Sequence, residues 1–152
     1  MSTRRPFADR FEVAAPSLAA LAARGAGHLP KPLLRRVLVS ALARAEAAFN
    51  RGDYVAVFAL FTDTARYVPP PSLGHEPITG REAILDFWRD TGARFTTSTI
   101  EDFSLDEIAP ERFTRRLRLT HRTDDEEIAY VIRQVTELRH GRVVSQVNQQ
   151  LD

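Results

Sequence analysis

The spacing of hydrophobic positions changes along residues 33–152 from about 3.6 to about 2, and this change predicts helices followed by strands. Over residues 33–50 apolar side chains recur every three or four positions, which is typical of an amphipathic helix of about five turns. The pattern then breaks, with Gly52 expected in the left-handed conformation that ends a helix and Asp53 expected as the next N-cap. We predict that next helix over residues 54–61.

A short strand and a third helix come next. Residues 64–69 alternate so that Tyr67 and Pro69 share one side of a strand. The three prolines that begin at Pro69 leave regular strand pairing, because proline has no backbone N–H to donate. Thr79 is expected to cap the third helix, which we predict over residues 80–90.

The remaining third of the chain alternates in long runs that are separated by short polar turns. These runs predict four antiparallel strands, over residues 95–107, 111–123, 127–139 and 142–151. Helices that precede a run of strands indicate an α+β domain, in which the helices lie on one face of a curved sheet.

Residues 1–32 differ in composition and are predicted to form a separate arm in front of a domain over residues 33–152. The arm is rich in alanine and proline and carries five basic and two acidic residues. Residues 17–23 are predicted to form a short helix that ends at Gly25. We expect the arm to cover either the mouth of a cavity or a partner subunit.

Composition excludes several classes of protein. Of the 152 residues, 43% are hydrophobic and 27% are charged, which is ordinary for a folded soluble domain, and cysteine is absent. Arginine supplies 20 of the 21 basic residues, but 20 acidic residues are interspersed with them, so nucleic-acid binding is not expected. Arg4 and Arg5 resemble a twin-arginine export signal only superficially, because charged residues interrupt the segment that should be apolar. We expect a cytoplasmic protein that does not enter a membrane.

Four segments carry a family resemblance: AFNRGDY at 48–54, ALFTDTARY at 59–67, ITGREAI at 78–84 and ELRHGRVV at 137–144. Over about residues 33–152 the chain resembles the SnoaL-like branch of the NTF2-like superfamily. The resemblance implies a cone in which three helices close one side of a strongly curved, mostly antiparallel sheet around a pocket. Members include polyketide cyclases, ketosteroid isomerases, epoxide hydrolases and proteins that only bind ligands.

The carboxylates that these enzymes use do not carry over to this sequence. The base carboxylate, oxyanion tyrosine and protonated aspartate of the isomerases correspond to Pro69, Ala45 and Gln134. The arginine and two aspartates of the epoxide hydrolases correspond to Arg115, Leu117 and Asn148. Proline, alanine, leucine and amide side chains cannot accept and donate a proton as a carboxyl group does. Ketosteroid isomerisation and epoxide hydrolysis by these mechanisms are therefore disfavoured.

The resemblance places one residue of each strand, and two-residue alternation then gives the residues that are expected to face the pocket. For catalysis we predict His121, Tyr67, Tyr130 and Asn148. For substrate binding we predict Arg115, Gln134, Gln146, Gln150, Trp88, Phe87, Thr136 and Leu117. Arg115 is expected to pair with Asp102 or with an acidic group of the ligand.

Two classes of function fit this pocket. In the first, the protein is a cofactor-independent cyclase, or a related isomerase or lyase, of a hydrophobic polyketide- or terpenoid-like intermediate. Arg115 and the amides would stabilise an oxyanion, and His121 would shuttle the proton. In the second, the same fold binds a small ligand without catalysis or serves as a dimerisation module. A homodimer is expected in both cases, and no metal spacing or phosphate-binding glycine loop is present.

Overall fold

The computed structural model describes residues 5–14 and 16–151 and shows helices packed on one face of a curved sheet. The described helices are α1 (Phe7–Ala14), α2 (Pro16–Ala26), α3 (Lys31–Asn50), α4 (Tyr54–Val57) and α5 (Arg81–Arg94). The described strands are β1 (Phe61–Val68), β2 (Ile78–Thr79), β3 (Thr97–Ala109), β4 (Arg112–Arg122), β5 (Glu127–Arg139) and β6 (Arg142–Leu151). Among these residues, no helix has both the length and the apolar character that a bilayer span requires.

The strands form one sheet in the order β2-β1-β6-β5-β4-β3. Strands β3 to β6 are a continuous antiparallel meander, whereas β1 joins β6 in parallel. The long alternating runs at the end of the sequence are the strands of this meander, and tight turns connect each strand to the next. The predicted α+β architecture, with helices on one face of a mostly antiparallel sheet, is confirmed.

Several predicted boundaries are wrong for local reasons. The second helix ends at Val57 rather than at residue 61, because Phe61 already pairs with Val143 in β1. Thr79 lies in β2, and Gly80, at φ +96°, is the N-cap of α5 without a side-chain hydrogen bond. The third helix runs to Arg94, four residues past the predicted end.

Gly92 lies inside α5, although the sequence pattern indicates that the helix ends before it. Gly92 resembles a helix stop in the sequence, but the hydroxyl of Tyr54 lies 2.7 Å from the position that a Cβ would take. The glycine therefore permits α4 and α5 to pack closely, and the helix continues through it. Gly25 also lies within a helix, since α2 extends past it to Ala26, but no other described residue packs closely against it.

An aromatic cluster fills the space between the helices and the sheet. Phe49 of α3 meets Trp88 of α5 edge to face, with ring centroids 5.0 Å apart. Phe58 packs in the same way against Phe61, at 4.9 Å. These rings, which are all less than 5% exposed, hold α3 and α5 against the inner face of the sheet.

The described part of the arm, residues 5–14 and 16–32, is docked against the domain. The carbonyl oxygen of Ala20 occupies the space where a Cβ of Gly141 would stand, so α2 rests directly on the β5–β6 turn. Gly27 lies against the β3–β4 turn, where the carbonyl oxygen of Pro110 is 3.3 Å from the position that a Cβ of Gly27 would take. Two turns at the same end of the sheet therefore seat the second arm helix.

Six charged side chains, which we call the ion-pair latch, attach α1 to the domain; they are Arg5, Asp9, Glu12, Arg44, Arg51 and Asp53. Asp9 is 3% exposed and accepts from Arg51 at 2.5 Å. Glu12 accepts from Arg44 at 2.9 Å. Acidic and basic side chains alternate along the latch. The buried carboxylate of Asp9 is therefore compensated by the guanidinium groups of Arg44 in α3 and of Arg51 just after it.

Asp53 joins the latch to the start of α4. Its carboxylate accepts from Arg5 at 2.6 and 2.9 Å and also from the backbone N–H of Ala56, as an N-cap does. Burial by itself would raise the pKa of Asp53, but the hydrogen bonds from Arg5 and Ala56 hold it below its usual range. The predicted N-cap at Asp53 is confirmed, and the same residue holds the arm.

Two substitutions separate these roles of Asp53. Asp53→Asn keeps a capping oxygen but loses the charge, so hydrogen exchange in α1 is expected to rise while the cap persists. Asp53→Ala loses both, and its free energy of unfolding in urea is expected to be lower by about a further 1 kcal/mol. Unchanged exchange in α1 in both variants would contradict the latch.

Candidate functional site

A cavity of about 220 Å³ lies between the sheet, α3 and the arm. Residues of three neighbouring strands form its floor; they are Phe113, Arg115, Leu117, Leu119, Ile132, Gln134, Thr136, Leu138, Val143, Gln146 and Asn148. Apolar residues of α3, from Leu34 to Phe49, form its roof. An engineered cavity of roughly 150 Å³ holds benzene, so the present volume suits a ligand of one or two rings.

A row of hydrogen-bonded polar side chains crosses the otherwise apolar floor. Arg115, Gln134 and Asn148 are direct cross-strand neighbours in β4, β5 and β6. Arg115 Nε donates to Gln134 Oε1 at 2.8 Å, and Gln134 Nε2 donates to Asn148 Oδ1 at 2.9 Å. Asn148 Nδ2 donates in turn to the carbonyl of Val68 at 2.8 Å. The row orients a guanidinium group that is 5% exposed and lines the cavity.

Tyr67 stands beside this row at the end of β1. Its hydroxyl accepts from Trp88 Nε1 at 3.0 Å and is hydrogen-bonded to Asn148. Burial raises the pKa of Tyr67, against the opposing effect of those two hydrogen bonds. The phenol therefore keeps its proton at neutral pH and can serve as a hydrogen-bond donor in the cavity.

A second polar pair lies farther along the same wall. Gln146 Nε2 donates to Thr136 Oγ1 at 3.0 Å, and both residues line the cavity. The amides of Gln134, Gln146 and Asn148, which strand alternation predicts on the inner face, are thus paired with protein groups, as buried polar atoms require.

Eight of the twelve predicted site residues line the cavity; they are Tyr67, Asn148, Arg115, Gln134, Gln146, Trp88, Thr136 and Leu117. The other four, His121, Tyr130, Gln150 and Phe87, are not among its lining residues. Gln150 is exposed near the end of β6, and Phe87 packs on Trp88 and His75 instead. The side chain of Asp102, expected as a partner of Arg115, lies outside the described residues.

His121 forms a separate buried cluster beyond the cavity. Its Nδ1 is hydrogen-bonded to Ser98 Oγ at 2.8 Å, its Nε2 to the Tyr130 hydroxyl at 3.0 Å, and its ring stacks on Phe95. Burial, with a smaller effect of Arg94, lowers the pKa of His121 to about 4. Strand alternation points His121 to the inner face as predicted, but at 1% exposure it is enclosed by these neighbouring side chains and does not line the cavity.

The sequence led us to expect that the arm covers a cavity mouth or a partner subunit, but none of the predicted site residues lies in the arm. Asp9 and Glu12 of α1 line the cavity, as do Ala23 and Ala26 of α2 and Gly27, which follows that helix. The only signal in the sequence is the three-residue spacing of Asp9 and Glu12, which puts both carboxylates on one helix face. Their arginine partners are more than 30 residues away, so the pairing follows from the fold alone.

Comparison with known proteins identifies the fold. A family model described as a SnoaL-like domain matches residues 42–146. Bal32a, from a soil-derived mobile gene cassette, is 24% identical with a TM-score of 0.65, over 75% of this chain and 88% of that one. No curated protein matches.

Two further solved structures carry enzyme names. A putative polyketide cyclase from Xanthomonas campestris pv. campestris is 13% identical with a TM-score of 0.57, over 73% of this chain and 87% of that one. An LEH-like epoxide hydrolase of M. tuberculosis is 14% identical with a TM-score of 0.60, over 74% and 80%. At these identities the likeness shows the NTF2-like fold, which confirms the predicted cone.

The buried state of His121 predicts a pH dependence of stability. An unfolded histidine has a pKa near 6.5, so between about pH 6.5 and 4 the unfolded chain binds a proton that the folded chain does not. The free energy of unfolding is therefore expected to fall through this window, by up to about 3 kcal/mol, and to lose no more from His121 below pH 4.

Urea denaturation at pH 7, 5 and 4 measures this effect in the wild type and in His121→Gln, which is expected to show a shallower pH slope. His75→Gln serves as the control, because His75 is exposed. An NMR titration in which the His121 ring takes up its proton near pH 6.5 would sink the prediction.

Proposed function

Because the chain belongs to the SnoaL-like domain family, we propose that it is a cofactor-independent cyclase, or a related isomerase or lyase, of a small hydrophobic intermediate. The observation that carries this proposal is the row Arg115–Gln134–Asn148 on the floor of an apolar cavity. A guanidinium held in this way favours a ligand oxygen that is negatively charged or becomes so during reaction.

The chemistry divides among the cavity residues according to their contacts. Arg115 binds the acidic or enolic oxygen of the substrate, and Tyr67 donates a hydrogen bond or a proton beside it. Gln134 and Asn148 are positioning residues, since the amide of Gln134 is hydrogen-bonded to Arg115 and Asn148, and that of Asn148 also to the carbonyl of Val68. Proton donation falls to Tyr67 rather than to His121 and Tyr130, because of these three only Tyr67 lines the cavity.

The substrate class follows from the remaining walls. Apart from the polar row and the arm carboxylates, the lining is mainly aliphatic and aromatic, with Phe49, Phe58 and Trp88 among its rings. Such walls fold a flexible apolar chain and exclude water from a reactive carbonyl, which supports a polyketide- or terpenoid-like intermediate. The putative polyketide cyclase among the similar structures supports the same class.

A non-catalytic ligand-binding module is the second candidate. The carboxylates that line the cavity, among the described residues, are Asp9 and Glu12, and both accept hydrogen bonds from arginines of the latch. Neither is placed as a strong base, which favours binding without turnover. Epoxide hydrolysis is less supported, since Leu117 and Asn148 stand where the carboxylates of that reaction would be needed.

Arg115→Met tests the anion-binding role. The wild type is expected to bind naphthalene-2-carboxylate more tightly than naphthalene, and Arg115→Met to weaken the acid by about 10- to 100-fold while leaving naphthalene unchanged, as measured by calorimetric titration. Arg116→Met is the matched control, because Arg116 is the next residue of β4 and is exposed. Equal affinity of the wild type for both ligands would contradict the proposal.

Turnover separates the enzyme from the binding module. Mass spectrometry of ligand that co-purifies with the protein identifies a natural compound, which is then incubated with the wild type and with Tyr67→Phe. An isomeric or dehydrated product that forms at least tenfold more slowly with Tyr67→Phe supports the enzyme. Recovery of the compound unchanged supports the binding module.

A further inference from the structure

The arm lies outside the segment that matches the family model, yet it forms part of the cavity wall. That match begins at residue 42, whereas α1 and α2 end at Ala14 and Ala26. Two arm helices nevertheless contribute lining residues, of which Ala23 and Ala26 have small side chains. Part of the cavity wall of this protein therefore comes from residues outside the segment that matches the family model.

The arm is held firmly enough to act as a wall. Asp9 is almost fully buried and paired with Arg51, and the carbonyl of Ala20 is in close contact with Gly141. Because these contacts hold α1 at the end of α3 and α2 on the strand turns, the space beneath the arm has a defined size. A side chain enlarged on the inner face of α2 must take its volume from the cavity.

We propose that the arm determines specificity, and that Ala23 and Ala26 set the size of the ligand that the closed cavity accepts. Leucine at either position would add three carbon atoms to the wall and leave room for a single ring but not for two. This inference rests on the proposed function for its choice of cavity, but it concerns the extent of the ligand rather than its charge.

Neutral ligands of two sizes test the inference in the full chain. Ala26→Leu is expected to weaken the binding of naphthalene at least tenfold and that of benzene less than threefold, by calorimetric titration or NMR line shape. Ala23→Leu is expected to act in the same direction and serves if Ala26→Leu fails to fold. Ala22→Leu is the matched control, because Ala22 lies on the same helix and is exposed.

Each outcome has a defined meaning. Loss of naphthalene alone in the Ala26→Leu or Ala23→Leu variant supports the arm as a specificity wall. The inference is overturned if the two variants change the affinity for both ligands equally or not at all. It is also overturned if Ala22→Leu loses naphthalene to the same degree, or if the wild type binds neither ligand.

The same probes keep the two proposals apart. Suppose that Ala23→Leu and Ala26→Leu weaken naphthalene but not benzene, while Arg115→Met does not change the affinity for naphthalene-2-carboxylate. The proposed function then fails and the arm inference stands. If the wild type binds naphthalene-2-carboxylate more tightly than naphthalene, but Ala23→Leu and Ala26→Leu bind both neutral ligands as the wild type does, the arm inference fails and the proposed function stands.

Discussion

A row of polar side chains that crosses β4, β5 and β6 in register organises the interior of this protein. Arg115, Gln134 and Asn148 meet because their backbones are cross-strand partners, and each amide then fixes the next group. A guanidinium that is nearly inaccessible to water is stable only with such partners. The apolar floor on either side, the neighbouring phenol of Tyr67 and the space beneath α3 are all arranged around this row.

The arm supplies part of the wall of the cavity. The apolar side of α3 forms the roof of the cavity, and residues of α1 and α2 complete the wall beside it. Docking α1 there buries the carboxylate of Asp9, a costly step unless cations are already in place, and Arg44 and Arg51 provide them. The arm is thus attached by charge at one helix and by close backbone contact at the other.

Two buried tyrosines and a histidine show how position along the cone decides chemistry. Tyr67 lies where the cavity is open, whereas Tyr130 and His121 lie where the side chains pack against Ser98 and Phe95. Burial favours the neutral form in all three, but only the first has space beside it for a reacting group. Depth in the cone, rather than residue type, therefore separates a candidate proton donor from a structural hydrogen-bond cluster.

The sequence by itself determined the order of the elements over residues 33–152, apart from the two-residue strand β2, because period-two alternation and turn residues are local properties of the chain. Together with the family resemblance, the same alternation gave the inward face of the long strands and the row of polar positions. The sequence also placed Asp53 as a cap and selected eight residues of the cavity wall. Only the tertiary structure decided that Gly92 lies within a helix against Tyr54, that His121 falls beyond the end of the cavity, and that Asp9 and Ala26 belong to its wall. These facts depend on contacts between residues tens of positions apart, which no local pattern records.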